Sequence, residues 1–394
     1  MVNYNVDPKL INNDATPEAL ALMDYLCSIY GDKVLTGQQI GVVTQPEVEV
    51  IAALTGRYPA VYGFDMMNYS PSRVERGSSC NDVEEAIAWW NNGGIVTFCW
   101  HWNAPIGLVD IPPERSWDRG FYTEATTFNI AEAMKDEENE LYQLMIRDID
   151  AIAEQLKRLQ LERVPVLWRP LHEASGGWFW WGAQGAEPFL KLWRLMYHRL
   201  TNVHQLNHLI WVWNGQHKDW YPGDEYVDII GEDIYAPRHD YSSQRERFEQ
   251  AVQYTMTPKL IALSENGVIP AIDEMQRDNA MWLWQCTWYG EFVCKRVTAH
   301  DIVSNNVPDG HEAAAQDDSE AAEREVMQPS PYIKHGDHYY TYCGDYTEKQ
   351  AIIDFYNDPR SLTRDQLPNL KCGEKENSHD ISNHTSKKAA EALE

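Results

Sequence analysis

Val164-Pro165-Val166-Leu167-Trp168-Arg169-Pro170-Leu171-His172-Glu173 begins as a short apolar run and ends on arginine, histidine and glutamate. Its Val-rich start, flanked by the amphipathic segments Glu140 to Leu161 and Glu187 to Val203, reads as a buried strand between two helices. The same alternation extends outward in both directions. Upstream runs at Val34 to Gln39, Ala60 to Asn68 and Gly94 to Trp102 make it the fourth strand. Downstream runs follow at Leu209 to Gly215, Val227 to Tyr235, Leu260 to Gly267 and Trp282 to Phe292. Thr16-Pro17-Glu18 starts a helix before the first strand, and further helices are expected at Val83 to Asn91, Arg245 to Met256 and Lys349 to Tyr356. Eight strands with interleaved helices predict the α/β class and a single-domain (β/α)8 TIM barrel over residues 1–370. An open doubly wound sheet is the other architecture to weigh. It is weakened because Gly37-Gln38-Gln39 is no phosphate-binding glycine loop.

Composition narrows the function. The 394 residues are 43% hydrophobic, which supports a sizeable core and excludes wholesale disorder. With 33 basic against 60 acidic residues the net charge is −27, and such a surface repels nucleic acid and anionic lipid. A neutral polymer meets no such objection. The 16 Trp and 21 Tyr suit stacking on sugar faces, although about half of the Trp are expected to fill the core instead. No stretch approaches the roughly 18 to 20 apolar residues of a membrane span. Met1-Val2-Asn3-Tyr4-Asn5 lacks the basic and apolar regions of a secretory signal, so the chain reads as cytosolic or as a mature form with an added Met. Seven cysteines leave at least one unpaired. They include core thiols at Cys99 and Cys286, a candidate disulfide between Cys294 and Cys343, and no CxxC metal site. Residues 299–342, polar and acidic, are expected as a long loop after the eighth strand on the catalytic face. Residues 371–394 form a polar tail, expected to be disordered.

Barrel enzymes place their chemistry at the C-terminal ends of strands. Those ends here read Trp100-His101-Trp102, His172-Glu173 followed by Trp178-Phe179-Trp180-Trp181, Asp233-Ile234-Tyr235, Ser264-Glu265-Asn266 and Thr287-Trp288-Tyr289. Glu173 and Glu265 lie 92 residues apart in sequence but close strands four and seven, on roughly opposite sides of the ring. Glycoside hydrolysis needs such a pair, one carboxyl to protonate the leaving oxygen and one to attack or activate water. A gap of about 5 to 5.5 Å implies a covalent intermediate and retention, and a wider one implies inversion. Singly, Glu265 could be an ion-pair partner and Glu173 a helix N-cap.

Trp168 to Glu173 followed by Gly177-Trp178-Phe179-Trp180-Trp181-Gly182 resembles the signature of family 26 glycoside hydrolases, best known as endo-β-1,4-mannanases. Leu35 to Gln39, Gly63-Phe64-Asp65, Trp100 to Trp102, Asp233 to Tyr235 and Ser264 to Gly267 follow in the expected order. The resemblance implies a retaining endo-β-1,4-mannanase acting on β-mannan, glucomannan or galactomannan, with Glu173 as acid/base and Glu265 as nucleophile. It implies that Tyr235 orients Glu265, that Trp178 and Trp288 wall the sugar subsite, and that His172 contacts the sugar or tunes the carboxyl. His101 would bind a hydroxyl one subsite away. Trp102 and Trp181 join the expected substrate-binding set, although Trp181, like Trp180, reads equally as barrel packing. Arg169 is expected to partner buried carboxylates, with Asp65 and Asp233 as candidates. The reaction calls for no metal or other cofactor. The expected setting is extracellular, as a monomer whose partner is a mannan-type polysaccharide rather than nucleic acid or membrane. A β-1,3-xylanase, a mixed-linkage β-glucanase and a non-catalytic carbohydrate-binding barrel are the rival functions. Ala174-Ser175 departs from the Met-Asn of many relatives and Tyr289 from the Arg of some, which puts subsite affinity and chain-length preference in question.

Overall fold

Strands β1 (Gly37–Gln39), β2 (Val61–Asp65), β3 (Ile95–Cys99), β4 (Val166–Arg169), β5 (Leu209–Trp213), β6 (Ile229–Ile234), β7 (Leu260–Asn266) and β8 (Gln285–Thr287) close a parallel barrel. Closure is made where Gln38 of β1 pairs with Thr287 of β8. The computed structural model describes residues 2–41, 46–298 and 332–372. Strands β3 to β7 are buried along their whole length. Helices cover the outer face while side chains fill the inside, so these strands open on apolar runs such as Val166-Leu167-Trp168 and Leu260-Ile261-Ala262-Leu263 and carry charged residues only toward their C-terminal ends.

The helical layer comprises α1 (Pro17–Ile29), α2 (Pro46–Thr55), α3 (Asp82–Asn91), α4 (Glu140–Leu161), α5 (Ala186–Tyr197), α6 (Arg245–Val252), α7 (Ile272–Arg277) and α8 (Lys349–Asn357). Local chemistry sets their starts. Thr16 caps α1 by accepting from the Ala19 N–H with Pro17 at the first position, and Asn139 caps α4 by accepting from Leu141. On α4, Met145, Ile149, Ile152, Leu156 and Leu159 recur at helical spacing and face the barrel. The β5–β6 crossover carries 3-10 turns at Lys218–Trp220 and Asp224–Tyr226 in place of an α-helix.

The expected first strand is two pieces. Val34–Leu35 pairs with Ser361–Leu362 in a separate parallel ladder, and only Gly37–Gln39 enters the barrel. A Cβ on Gly37 would sit 2.3 Å from the Gln285 carbonyl, so this closure requires glycine. The expected eighth strand is shorter than Trp282 to Phe292, because Gly290–Phe292 turns as a 3-10 helix.

Two further expectations need correction. Residues 332–342 are not loop, since β10 (Ile333–His335) and β11 (His338–Tyr342) join β9 (Cys294–Val297) in an antiparallel sheet ordered β9-β11-β10. Residues 299–331 lie outside the described residues. Cys294 and Cys343 are free thiols. Cys294 pairs with Tyr342, so Cys343 is one residue out of step; its Sγ turns to the Glu291 carbonyl while that of Cys294 turns to Glu47. Lys371 and Cys372 dock on the body through Asn91 and Arg163, and the rest of the expected tail lies outside the described residues.

Candidate active site

Arg169, the last residue of β4, is the electrostatic centre of the barrel mouth. It is buried, donates to Asp233 at 2.7 Å through Nη1 and to Glu265 at 2.8 Å through Nη2, and also reaches Asn214 at 3.2 Å. Burial alone would lower its pKa, but the two carboxylates hold it above its ordinary value, so it is a permanent cation. The expected pairing with Asp233 is present, whereas the Asp65 oxygens are taken up by the His101 ring and by the backbone N–H groups of Met67 and His101.

Glu265 reaches this position through a bulge. Glu232 pairs with Leu263 but Asp233 pairs with Glu265, which leaves Ser264 as the extra residue on β7. The Ser264 hydroxyl donates to Asp233 at 2.8 Å. The other oxygen of Glu265 accepts from the phenol of Tyr235. That phenol's pKa is raised by burial and then by the charge of Glu265, so it stays a donor.

Glu173 follows β4 in a left-handed turn, with φ of 52° at Leu171 and 54° at Glu173. Its N–H donates to the Asn214 carbonyl at 2.7 Å. Carboxylate oxygens of Glu173, Asp233 and Glu265 lie within 4.8 Å of one another. Burial first, and the charge of Glu265 second, push the Glu173 carboxyl up to about 7. Side by side, then, stand a carboxyl that holds its proton near neutrality and a carboxylate paired with a guanidinium.

Around this pair, His101 and His172 meet through their Nε2 atoms at 3.2 Å. Trp178 is 45% exposed and donates its indole N–H to Glu173, and Trp288, half-buried, lies 5.9 Å from the His101 ring. Trp102 and Trp181, expected to bind substrate, do not face the site. The Trp102 ring is fully buried, stacked on Trp100 at 4.2 Å, with its N–H on Asp148 of α4. Trp181 is also fully buried, stacked on Phe179 with its N–H on the His172 carbonyl. Both are packing residues that support the site from behind. Ten of the sixteen Trp are under 2% exposed, more than the half expected to fill the core.

A model described as "Glycosyl hydrolase family 26" matches residues 11–304. The chain belongs to glycosyl hydrolase family 26. Among relatives of known name, a mannan endo-1,4-beta-mannosidase of Thermothelomyces thermophilus is 49% identical over 290 residues, 74% of this chain and 59% of that protein. Mannan endo-1,4-beta-mannosidase B of a Piromyces species is 38% identical over 300 residues, 74% of this chain and 50% of the relative. This chain thus spans about half to three-fifths of the length of those curated relatives. Among solved structures, a Podospora anserina GH26-CBM35 β-(1,4)-mannanase superposes with a TM-score of 0.76 at 39% identity, covering 93% of this chain and 70% of that one.

Within this family 26 barrel, sequence reasoning missed the contribution of the β3–α4 loop. Its Tyr122 stacks on Phe179 at 5.4 Å, and Thr123 donates its N–H to the Trp178 carbonyl at 2.8 Å. The Tyr122 phenol is raised mainly by burial, with Glu173 and Glu265 among its contributors, so it lies within their field. The available signal was the length of that loop and its aromatic content, Trp117, Phe121, Tyr122 and Phe128. Tyr289, noted only as a departure, is raised by burial and feels Asp65 and Glu265, which puts it at the same mouth.

Proposed function

We propose that the protein is a retaining endo-β-1,4-mannanase in which Glu173 is the acid/base and Glu265 the nucleophile. The observation that carries this reading is the facing pair of unlike carboxyls, with oxygens within 4.8 Å. A gap of about 5 to 5.5 Å suits direct attack on the anomeric carbon and leaves no room for a water between carboxylate and sugar. In the first step Glu173 donates its proton to the glycosidic oxygen while Glu265 bonds to the anomeric carbon, displacing the leaving chain. In the second, Glu173 as carboxylate takes a proton from water, which attacks the glycosyl ester and frees Glu265 with net retention. Arg169 and Tyr235 orient Glu265 for in-line attack. His101, His172, Trp178 and Trp288 form the proposed walls of the sugar site.

Mannan as the substrate is supported by the relatives, which are named mannan endo-1,4-beta-mannosidases. Residues 1–370 act as one catalytic domain in this reading, as a monomer working outside the cell. No helix among the described residues is long and apolar enough to cross a membrane. Glu265→Gln is expected to lower kcat by at least about 10^4-fold with the fold intact; near-normal turnover would end the assignment. Incubation with mannan, glucomannan, β-1,3-xylan and lichenan, scored by new reducing ends, tests the substrate. Activity confined to xylan or lichenan, or saturable binding without cleavage, would replace this reading. The products from mannohexaose report whether attack is internal.

A further inference from the structure

Asp65 ends β2 at the catalytic face, and its carboxylate is fully engaged. Oδ1 accepts the backbone N–H groups of Met67 at 2.8 Å and His101 at 3.0 Å, and Oδ2 lies 2.5 Å from Nδ1 of His101. Burial would raise this carboxyl's pKa, but the His101 ring and those amides hold it below the ordinary value. Asp65 is therefore an acceptor and Nδ1 of His101 carries a proton. The far nitrogen of His101 faces Nε2 of His172 at 3.2 Å, so that one proton is shared between them. His172 is buried and neutral, and its Nδ1 has no hydrogen-bond partner among the described residues. A bare lone pair tolerates that better than an orphaned N–H. The proton of His172 accordingly sits on Nε2 and is donated to His101.

His172 lies between the two left-handed residues, Leu171 and Glu173. Non-glycine residues hold that conformation only where the surroundings over-determine it. Three restraints do so here: the Trp181 indole on the His172 carbonyl at 2.9 Å, the Glu173 N–H on Asn214, and the ring of His172 on His101. The third leads back to Asp65. We infer that Asp65 is a positioning residue for proton donation: through His101 and His172 it locks the left-handed turn from which Glu173 projects. The inference rests on Glu173 being the acid/base.

Asp65→Asn keeps the shape but either turns an amide N–H toward Nδ1 of His101 or leaves the backbone N–H groups of Met67 and His101 without their acceptor, so the order of donors along the chain breaks. The readout is kcat/KM, which reports the first chemical step, on mannotetraose and on a dinitrophenyl β-mannobioside whose leaving group departs without a proton. The tetraose value is expected to fall about 10- to 100-fold and the activated glycoside less than about threefold. A merely structural loss slows both alike, and equal losses, or none, overturn the inference. His101→Asn retains an N–H for Asp65 but cannot reach His172; it also removes a sugar contact and so slows both substrates, but mannotetraose is expected to fall about tenfold further than the activated glycoside, and this ratio serves if Asp65→Asn does not fold. Glu173→Gln, measured alongside, separates the two failures. Absence of the split in that variant rejects Glu173 as the acid. Its presence there, with no split in the Asp65 and His101 variants, rejects only the role of Asp65.

Discussion

The indole N–H of Trp178 is donated to Oε2 of Glu173 at 2.9 Å, although the ring itself is 45% exposed. A donor to the carboxylate favours the charged form and so opposes the burial and the Glu265 charge that push Glu173 up. Trp178→Phe keeps a ring at the site and removes the donor. The alkaline limb of kcat/KM is expected to move to higher pH, with a loss of less than about tenfold at pH 6. A limb that stays put or moves down would show that the bond does not govern the acid.

In the unaltered enzyme the acid must be protonated for the first step, and its pKa is about 7. The rate kcat/KM is expected to fall about tenfold per pH unit above that point. The charge of Glu265 is the second cause of the shift, so Glu265→Gln is expected to lower the pKa of Glu173. Burial, the larger cause, persists and keeps it above the ordinary carboxyl value. Carbon NMR titration of the glutamate side chains in both proteins measures this directly, and a rise on neutralising Glu265 would contradict the arrangement.

Arg169→Met would leave Asp233 and Glu265 buried and facing one another without their shared cation. The expected destabilisation is about 3–5 kcal/mol by urea unfolding at neutral pH. The loss should shrink as pH falls and the stranded carboxylates take up protons. Adding Asp233→Asn should recover part of it. Additive losses would mean that the three side chains do not act as one unit.

Trp102 and Trp178 separate packing from binding. Trp102→Ala empties a fully buried site and is expected to cost about 3–5 kcal/mol while leaving KM close to normal in the folded fraction. Trp178→Ala is expected to change stability by less than about 0.5 kcal/mol and to lower kcat/KM on mannan. Thermal melts paired with kinetics decide, and a reversed pattern would return Trp102 to the sugar site.

Much of this was legible in the sequence because barrel strands and capped helices leave local marks. Helix α4 was expected from Glu140 to Leu161 and occupies those residues, with Asn139 as its cap. The rim was harder to read where strands stop. After Cys99 the chain turns so tightly that the Trp102 N–H bonds to the Trp100 carbonyl. Alternation no longer predicts facing there: His101 enters the mouth while both neighbouring indoles stack outside it. The pairing of Asp65 was misread for a related reason. Strand order places Asp65 at the mouth but does not say which side chain its carboxylate meets, and the tight turn after Cys99 brings the His101 ring and N–H of the adjoining strand onto it. The hairpin at 333–342 left a signal, Ile333 and Tyr339 to Tyr342 about a Gly336-Asp337 turn, but it follows the acidic run Ala313 to Glu320, and its pairing partner, Cys294–Val297, lies some forty residues earlier.

The extra residue at Ser264 limits any attempt to graft this site onto another scaffold. Leu263 shares a face with Glu232, whose carboxylate points out to Arg247 of α6, whereas Glu265 shares a face with Asp233 and points inward. In a regular strand, residues two apart look the same way, so the same sequence without the irregularity would aim Glu265 at the helices beside Leu263. A transplant that copied the side chains onto an ideal strand would therefore deliver the nucleophile to the wrong side of the wall. The irregular backbone has to travel with it.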